Sequence, residues 1–489
     1  MKGNEGISRS GPGVRLRRPS SDDSEAPSTG AAPPTPEALF PKLVPRRNAS
    51  PKAVSDHQRA RLHAAMIEAC ARYGYTEATV REIAALAGVS KKTLYKHFPS
   101  KEACFLSTYD LVIRDAVARI SAAYKGEPSH ERDWAAGLCR AFEAFVAELV
   151  ERPKPSRLAL VDVLLIGPPA QEPIERAQKH FVWMIARSLA QAPDPVSLPP
   201  FLIRSLTDGI WFVASTRLLE GKPATISESG RELLDWILAY HAPAVESLPR
   251  GAPPRRRHSA SRRDSAGHDE RTRMLYAAAD IAARRGYRSL SVGEIAERAG
   301  VRPDAVTAEF DDPSECFLAS LELLCVQALA DALRESRDAE DWPTGVCRAT
   351  RALLCQIAED RVFARTAFVE SVAAGPAGAG RRTALIRGFA GALLRRAPTE
   401  GRPSPLVAEA IVGSVWSIAN RAAAEERTGQ LPLLAGHVSF LLLAPVIGAT
   451  AAHEAILAEF GNGQSMGSRE GLLRLHPDAT QLKSIAGGI

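Results

Sequence analysis

The chain repeats itself. Residues 79–105 read TVREIAALAGVSKKTLYKHFPSKEACF, and the same frame of glycine, valine and aromatic positions returns 212 residues later as SVGEIAERAGVRPDAVTAEFDDPSECF at 291–317. Ten of the 27 aligned positions are identical, and the register continues on both sides of the segment. Gly74 and Tyr75 match Gly286 and Tyr287 at the same offset. After one shortened loop, Asp133, Trp134 and Cys139 match Asp341, Trp342 and Cys347, and Gly167 and Pro168 match Gly375 and Pro376, now at 208. Trp211 then matches Trp416 at 205. Matches that keep their order and drift only at loops mean that a whole domain was duplicated, so one fold must serve both halves.

The 489 residues allow three or four packing units at roughly 150 residues each. Residues 1–55 are rich in Ser, Pro, Gly and Arg without periodicity and read as a disordered leader. From Asp56 to about residue 248 apolar residues recur at helical spacing, as in Ala65, Cys70 and Tyr73 or Phe142, Phe145, Val146 and Leu149. Strand-like alternation is absent, so the unit is all-α. Residues 249–267 carry Pro, Gly, Ser and six arginines and read as an exposed linker. A second all-α unit runs from His268 to Phe460, and residues 461–489 form a loose tail.

Seven cysteines without a CxxC pair, mostly among apolar residues, suit reduced thiols in a cytoplasm. The N-terminus has no apolar core of a secretory signal. The best apolar run, Val438 to Ala449, is shorter than a spanning helix needs and contains Pro445, so it reads as a buried helix and no membrane partner is expected. The sequence has no phosphate-cradling glycine loop, no HExxH or clustered His/Cys set and no nucleophile elbow. No catalytic residue, metal ligand or cofactor is therefore assigned. The net charge of +6 mildly favours an anionic partner, but its placement matters more.

That placement is uneven. Thr79 precedes Val80, Ile83, Ala84 and Ala87, with Glu82 three residues on, which is the start of a short helix with a capping box. Gly88 ends it, and Ser90 can cap a second helix whose Leu94 and Phe98 face inward. Lys91, Lys92, Thr93, Tyr95, Lys96 and His97 are left outside. Two short helices joined by a glycine turn make a helix-turn-helix, and cations with hydroxyls on the second helix suit phosphates and base edges of a major groove.

From Thr79 through Ile83, Ala84, Ala87, Gly88, Val89 and Ser90 to Thr93, Leu94, Tyr95, His97, Phe98, Lys101 and Glu102, the segment resembles the signature of the TetR family of transcriptional regulators. The resemblance implies that Thr79, Tyr95, His97 and Lys101 bind phosphates of double-stranded DNA, while Ser90, Lys91, Lys92, Thr93 and Lys96 lie in or near the groove. It also implies a helix-turn-helix domain over 56–110 and a helical ligand-sensing and dimerisation domain over 111–248. The same pair of domains would recur over 268–322 and 323–460. An unnamed small-molecule effector is implied too, and Phe145, Phe181, Trp183, Trp211 and Phe212 are the residues that could line its pocket.

The second copy departs from the pattern. Glu294, Ile295, Ala296, Ala299, Gly300, Val301 and Phe310 keep the scaffold, but where the first copy has SKKTLYKHF from Ser90 the second has RPDAVTAEF from Arg302. Val301 to Pro313 holds one arginine against Asp304, Glu309, Asp311 and Asp312, net −3, where Val89 to Lys101 holds four lysines and no acid, net +4. Phosphate binding is opposed there. The arginines of the linker, Arg255 to Arg257 with Arg262 and Arg263, suit either a phosphate backbone or a solubilising role.

The family works as homodimers, so a tandem chain can form that pair within itself. The apolar segments Phe201 to Leu219, Leu233 to Ala239, Leu406 to Ala419 and Val438 to Ile447 fall where interface helices belong, and an intramolecular pseudo-dimer is expected. With one armed head, two chains associating as a homodimer would restore two. The leading function is a repressor released by a small molecule, and the alternative is a helical ligand- or protein-binding module that no longer acts on promoters.

Overall fold

The computed structural model describes residues 50–126, 134–192, 198–240, 248–249 and 267–461. Most of the expected leader, the arginine-rich linker from 250 to 266 and the tail beyond 461 lie outside the described residues. In the first unit α1 spans Pro51–Glu77, α2 Val80–Leu86, α3 Lys91–His97, α4 Lys101–Lys125, α5 Ala136–Glu151, α6 Pro153–Leu160, α7 Gln171–Ala190, α8 Pro200–Leu219, α9 Ala224–Glu228 and α10 Gly230–Leu238. The second unit follows with α11 Glu270–Arg285, α12 Val292–Ala299, α13 Pro303–Glu309, α14 Pro313–Glu335 and α15 Trp342–Glu359. It continues with α16 Arg361–Arg365, α17 Ser371–Ala373, α18 Gly375–Arg396, α19 Pro405–Ala424, α20 Ala435–Ile447 and α21 Ala449–Phe460. No strand occurs among the described residues.

The first helix starts five residues before the expected Asp56, because Ser50 Oγ accepts from Ala53 N at 3.2 Å and Pro51 occupies the first position, where a missing N–H costs nothing. Gly74 breaks its end with φ 75°, and Gly286 repeats the break with φ 90°. The left-handed backbone is open to glycine without a side-chain penalty, which explains why both copies hold it. Each long helix after the head, α4 and α14, runs without interruption out of the head and into the regulatory bundle.

Each head has its own core. Leu62, Met66, Ile83, Leu94 and Phe98 fill the first, and Met274, Ile281, Ile295, Val306 and Phe310 the second. The regulatory helices of both halves instead share one continuous core, from Ile120 and Leu138 through Val213 and Trp236 to Ile411, Phe440 and Ile456. The pseudo-dimer contact is therefore built like a domain interior.

Its centre is the crossing of α8 and α19, two helices at equivalent places in the repeat. Small residues let them approach: a Cβ at Gly209 would collide with Ser414 Oγ and Ala410 O, and one at Gly413 would meet the Phe212 ring at 2.8 Å. Ion pairs then lock the pairing. Arg217 Nη2 lies 3.1 Å from Glu409 Oε2, Arg387 bridges Glu409 at 3.2 Å and Glu220 at 2.7 Å, and Arg421 reaches Asp208 Oδ2 at 2.6 Å. Gln178 donates to the other Asp208 oxygen at 2.6 Å. At the edge of this contact Tyr240, fully buried, receives the Trp236 N–H at 2.7 Å and donates to Leu441 O at 2.8 Å.

Two helical stretches, Pro313–Glu335 and Thr428–Ile447, are long and apolar enough to cross a membrane, but the apolar window of the second is 72% buried inside the protein. Its apolar residues serve the shared core, as read from the sequence. None of the seven cysteines forms a disulfide, and five of them are buried.

Candidate nucleic-acid interface and ligand cavity

Local sequence builds the first head. Thr79 N donates to Glu82 Oε2 at 2.8 Å while Glu82 N donates to Thr79 Oγ1 at 3.2 Å, the reciprocal capping box that starts α2. Gly88, at φ 60°, turns the chain, and Ser90 Oγ accepts from Thr93 N at 3.1 Å to start α3. Leu94 and Phe98 are buried, so α3 has one fixed orientation and one outward face.

That face holds Lys91, Lys92, Tyr95 and Lys96, all exposed. Tyr95 is 53% exposed, which is unusual for an aromatic ring and leaves it available to an outside partner. None of the three lysines has an acidic partner among the described residues. Thr93 is half-buried beside Ser90 Oγ, 2.9 Å from its own hydroxyl, and Thr79 also spends its hydroxyl proton on Glu82.

His97 and Lys101 are placed differently from the implied phosphate contacts. His97 Nε2 is 3.1 Å from Gln58 Oε1, and burial, with Arg59 and Lys96 nearby, lowers its pKa and keeps the ring neutral. Lys101 turns inward: its ammonium donates to Tyr75 O and Ala78 O at 2.9 Å each and lies 4.3 Å from the centre of the Tyr75 ring. Its charge closes the carbonyls left open after the Gly74 break, an anchoring role.

The second head repeats the scaffold and cancels the charge. Arg271 stacks on Phe310 at 4.9 Å, as Arg59 does on Phe98 at 5.0 Å, and Tyr287 meets Phe317 at 5.0 Å, as Tyr75 meets Phe105 at 4.9 Å. Yet Arg271 is paired with Glu309, the residue that stands where the first copy has His97. Arg302 pairs with Asp304 at 3.1 Å, Arg298 with Asp280 at 2.7 Å and Arg285 with Glu294 at 2.6 Å.

A link from head to regulatory bundle, not recognised in the sequence, occurs in both halves. Tyr75 N, just after the Gly74 break, donates to Asp162 Oδ1 at 3.3 Å, and Arg157 stands 3.7 Å from the other oxygen. In the second half Tyr287 N donates to Glu370 Oε2 at 2.8 Å, with Arg365 at 3.0 Å. Both acids are buried, and burial pushes the Asp162 carboxyl up to about 6. The signal was present: Arg157 and Asp162 match Arg365 and Glu370 at the offset of 208.

The five aromatic residues expected at a pocket do not enclose one. Phe145, Phe181 and Trp211 surround a void of about 40 Å³, room for little more than a water. Trp183 packs on Tyr124 and under Arg187, and Phe212 sits on Gly413 at the crossing of the halves. Aromatic bulk fills space here. A large cavity, about 410 Å³, lies in the second unit among α14, α15, α18, α19 and α20. Its walls are apolar, with Leu329, Val346, Leu353, Phe389, Val415 and Leu442 among them, and its exposed edge carries Arg337, Arg396, Glu340 and Asp341.

Comparison with known proteins agrees with the geometry of the heads. The family described as bacterial regulatory proteins, tetR family, matches the chain twice, over residues 62–108 and 274–319. No curated protein sequence matches the chain. Among solved structures, the chain is similar to the crystal structure of a transcriptional regulator FadR from Bacillus subtilis in complex with stearoyl-CoA. That match is 19% identical, covers 36% of this chain and 96% of that one, and has a TM-score of 0.32.

Proposed function

Because the chain belongs to the TetR family of transcriptional regulators, as a tandem duplication with two of the family's N-terminal domains, we propose that its first head alone reads DNA and that a small molecule releases it as a repressor. One observation carries this reading: Lys91, Lys92, Tyr95 and Lys96 stand together on the outer face of α3, and the three lysines have no ion-pair partner among the described residues. Cations without partners release counterions when they meet phosphates, and a helix fixed by two buried side chains can present them in a groove. Ser90, Thr93 and Thr79 border this face; Ser90 and Thr79 cap their helices, and the Thr93 hydroxyl bonds that of Ser90.

The release step rests on the Tyr75–Asp162 link. A shift of the turn around Asp162 pulls on the Gly74 break and so re-aims the head. Domain roles follow the repeat, with heads over 56–110 and 268–322 and regulatory domains over 111–248 and 323–460. Two chains on one operator supply two armed heads.

The test uses genomic DNA fragments captured by the full chain. The Lys92→Ala and Tyr95→Ala pair is expected to lose most of the binding, and Thr307→Ala, at the second-head position matching Tyr95, almost none. Unchanged binding by the first pair ends the reading.

A further inference from the structure

The void in the first unit and the cavity in the second occupy the same place in the repeat. Leu138, Ala141, Phe181 and Ile210 line the one where Val346, Ala349, Phe389 and Val415 line the other, at offsets of 208 and, for the last pair, 205. What differs is side-chain volume. Ile120 is replaced by Ala332, Phe142 by Thr350, Phe145 by Leu353 and Met184 by Ala392, each a large residue exchanged for a smaller one.

The mouth differs in the same direction. In the first unit Tyr124 stacks on Trp183 at 5.8 Å, packs over Gly137 and lies 3.2 Å from Ser188 Oγ, closing the space between α4, α5 and α7. The matching residues in the second unit are Ser336 for Tyr124, Gly391 for Trp183 and Arg396 for Ser188, and Ser336 and Arg396 border the open cavity. Exchanges this consistent, at both the floor and the lid, fill this place in the first half and open it in the second. Side chains too small to fill an apolar space of this size forgo packing contacts, a cost that packing alone does not explain.

We propose that effector sensing resides in the second unit alone, and that its effector is a single hydrophobic small molecule whose polar or charged end, if any, stays at the Arg337/Arg396 rim. The volume of about 410 Å³ falls within the about 300–1,000 Å³ of small-molecule pockets. Behind the rim the lining has no ionisable side chain; Thr350 and Ser336 supply hydroxyls. A buried charge would have no counter-charge there. At the rim Asp341 caps α15 by accepting from Thr344 N at 2.8 Å, and neither Arg337 nor Arg396 has an ion-pair partner among the described residues.

The cavity also reaches the contact between halves. Val412 and Val415, on α19, line it, and Gly413 between them carries the Phe212 ring of α8. A ligand that spreads the walls therefore presses on the helix that holds the armed half. The unit that lost its reading face kept the receptor, and the unit that kept the face filled its receptor in. This assignment rests on the ligand-responsive reading above, but its test does not.

The probes are a series of straight-chain alcohols from hexanol to dodecanol, titrated calorimetrically into the full chain. One saturable site per chain is expected. Thr350→Phe and Leu353→Phe, which restore the residues of the first unit, are expected to weaken binding at least about tenfold, while Phe142→Leu in the first unit leaves it unchanged. Each filled variant is checked for cooperative melting at or above the parent temperature. Saturable binding by none of the alcohols, two sites per chain, or full binding by both melting-competent filled variants would overturn the proposal. Alcohol binding that leaves DNA affinity unchanged would instead remove the release mechanism and leave the site standing.

Discussion

The two heads share a core and differ in their surfaces, whereas the two regulatory halves pair through equivalent helices and differ in the space behind them. In the heads, Leu94 and Phe98 become Val306 and Phe310 with the packing kept, while Lys91, Lys92 and Lys96 give way to Pro303, Asp304 and Ala308, and Asp304 is paired with Arg302. In the regulatory halves, α8 and α19 keep their mutual contact while the space behind them is filled on one side and open on the other. On the proposed reading each copy gave up one task, and the places where side chains shrank or changed sign mark which.

The largest effect should come from removing the head difference. Lys91→Ala, Lys92→Ala and Lys96→Ala combined take away three phosphate-neutralising charges, so binding at physiological salt should disappear and the salt dependence should flatten by about three units of log–log slope. Converting Glu309 to His and Asp304 to Lys in the second head tests the converse; a gain of affinity would mark that head as silenced by charge alone.

Next comes the pairing of the halves, which is complementary rather than symmetric. Glu409 stands where the first unit has Arg204, and Arg421 where it has Thr216. Two first units meeting through α8 would set Arg217 against Arg204, and two second units would leave Glu409 facing Ala422. Like-with-like pairing thus orphans charges that unlike pairing satisfies, a discrimination built on repulsion as well as attraction. Arg421→Ala leaves the buried Asp208 with only Gln178, and the chain should lose about 3–5 kcal/mol in denaturant unfolding. A smaller loss than that of an exposed pair such as Arg231–Asp235 would show that the contact is loose.

The head links should separate the halves more gently. Asp162→Ala frees Tyr75 N and is expected to blunt the effector response several-fold with little change in DNA affinity, whereas Glu370→Ala, on the head proposed not to read DNA, is expected to leave it unchanged. Equal effects of the two, measured as the change in DNA affinity on adding an alcohol that binds the cavity, would mean that both heads report.

Much of this was legible in the residues. The repeat, the capping box at Thr79, the Gly88 turn, the outward lysines of α3 and the interface segments follow from spacing and side-chain type, which act locally or over one helix turn. The cavity was not, because its signal is a deficit. Phe145, Phe181 and Trp211 attracted attention as bulk, and bulk closes space; Ala332, Thr350, Leu353, Ala392 and Gly391 opened it without leaving a conspicuous residue. The inward bonds of Lys101 were hidden for a related reason, since the Gly74 break exposes carbonyls that only the fold brings beneath its ammonium.

The smallest difference between the heads is a buried histidine. His63 in the first core becomes Leu275 in the second, and His63 Nδ1 lies 2.8 Å from Thr108 Oγ1, whose own proton goes to Cys104 O at 2.7 Å. The ring is therefore neutral with its proton on Nδ1. Burial, with the nearby Arg59 charge, lowers its pKa to about 4 from an unfolded value near 6.5. A base with a depressed folded pKa contributes its full stability above 6.5 and loses it as pH falls toward 4, because the unfolded chain takes up the proton first. The first head should thus lose thermal stability between pH 7 and 5 more than the second does. His63→Leu is expected to flatten that dependence, and Leu275→His to import it into the second head, read from melting temperatures over the same pH series. Thr108 keeps its bond to Cys104 O in the first variant, so a changed slope reports the imidazole and not an orphaned hydroxyl.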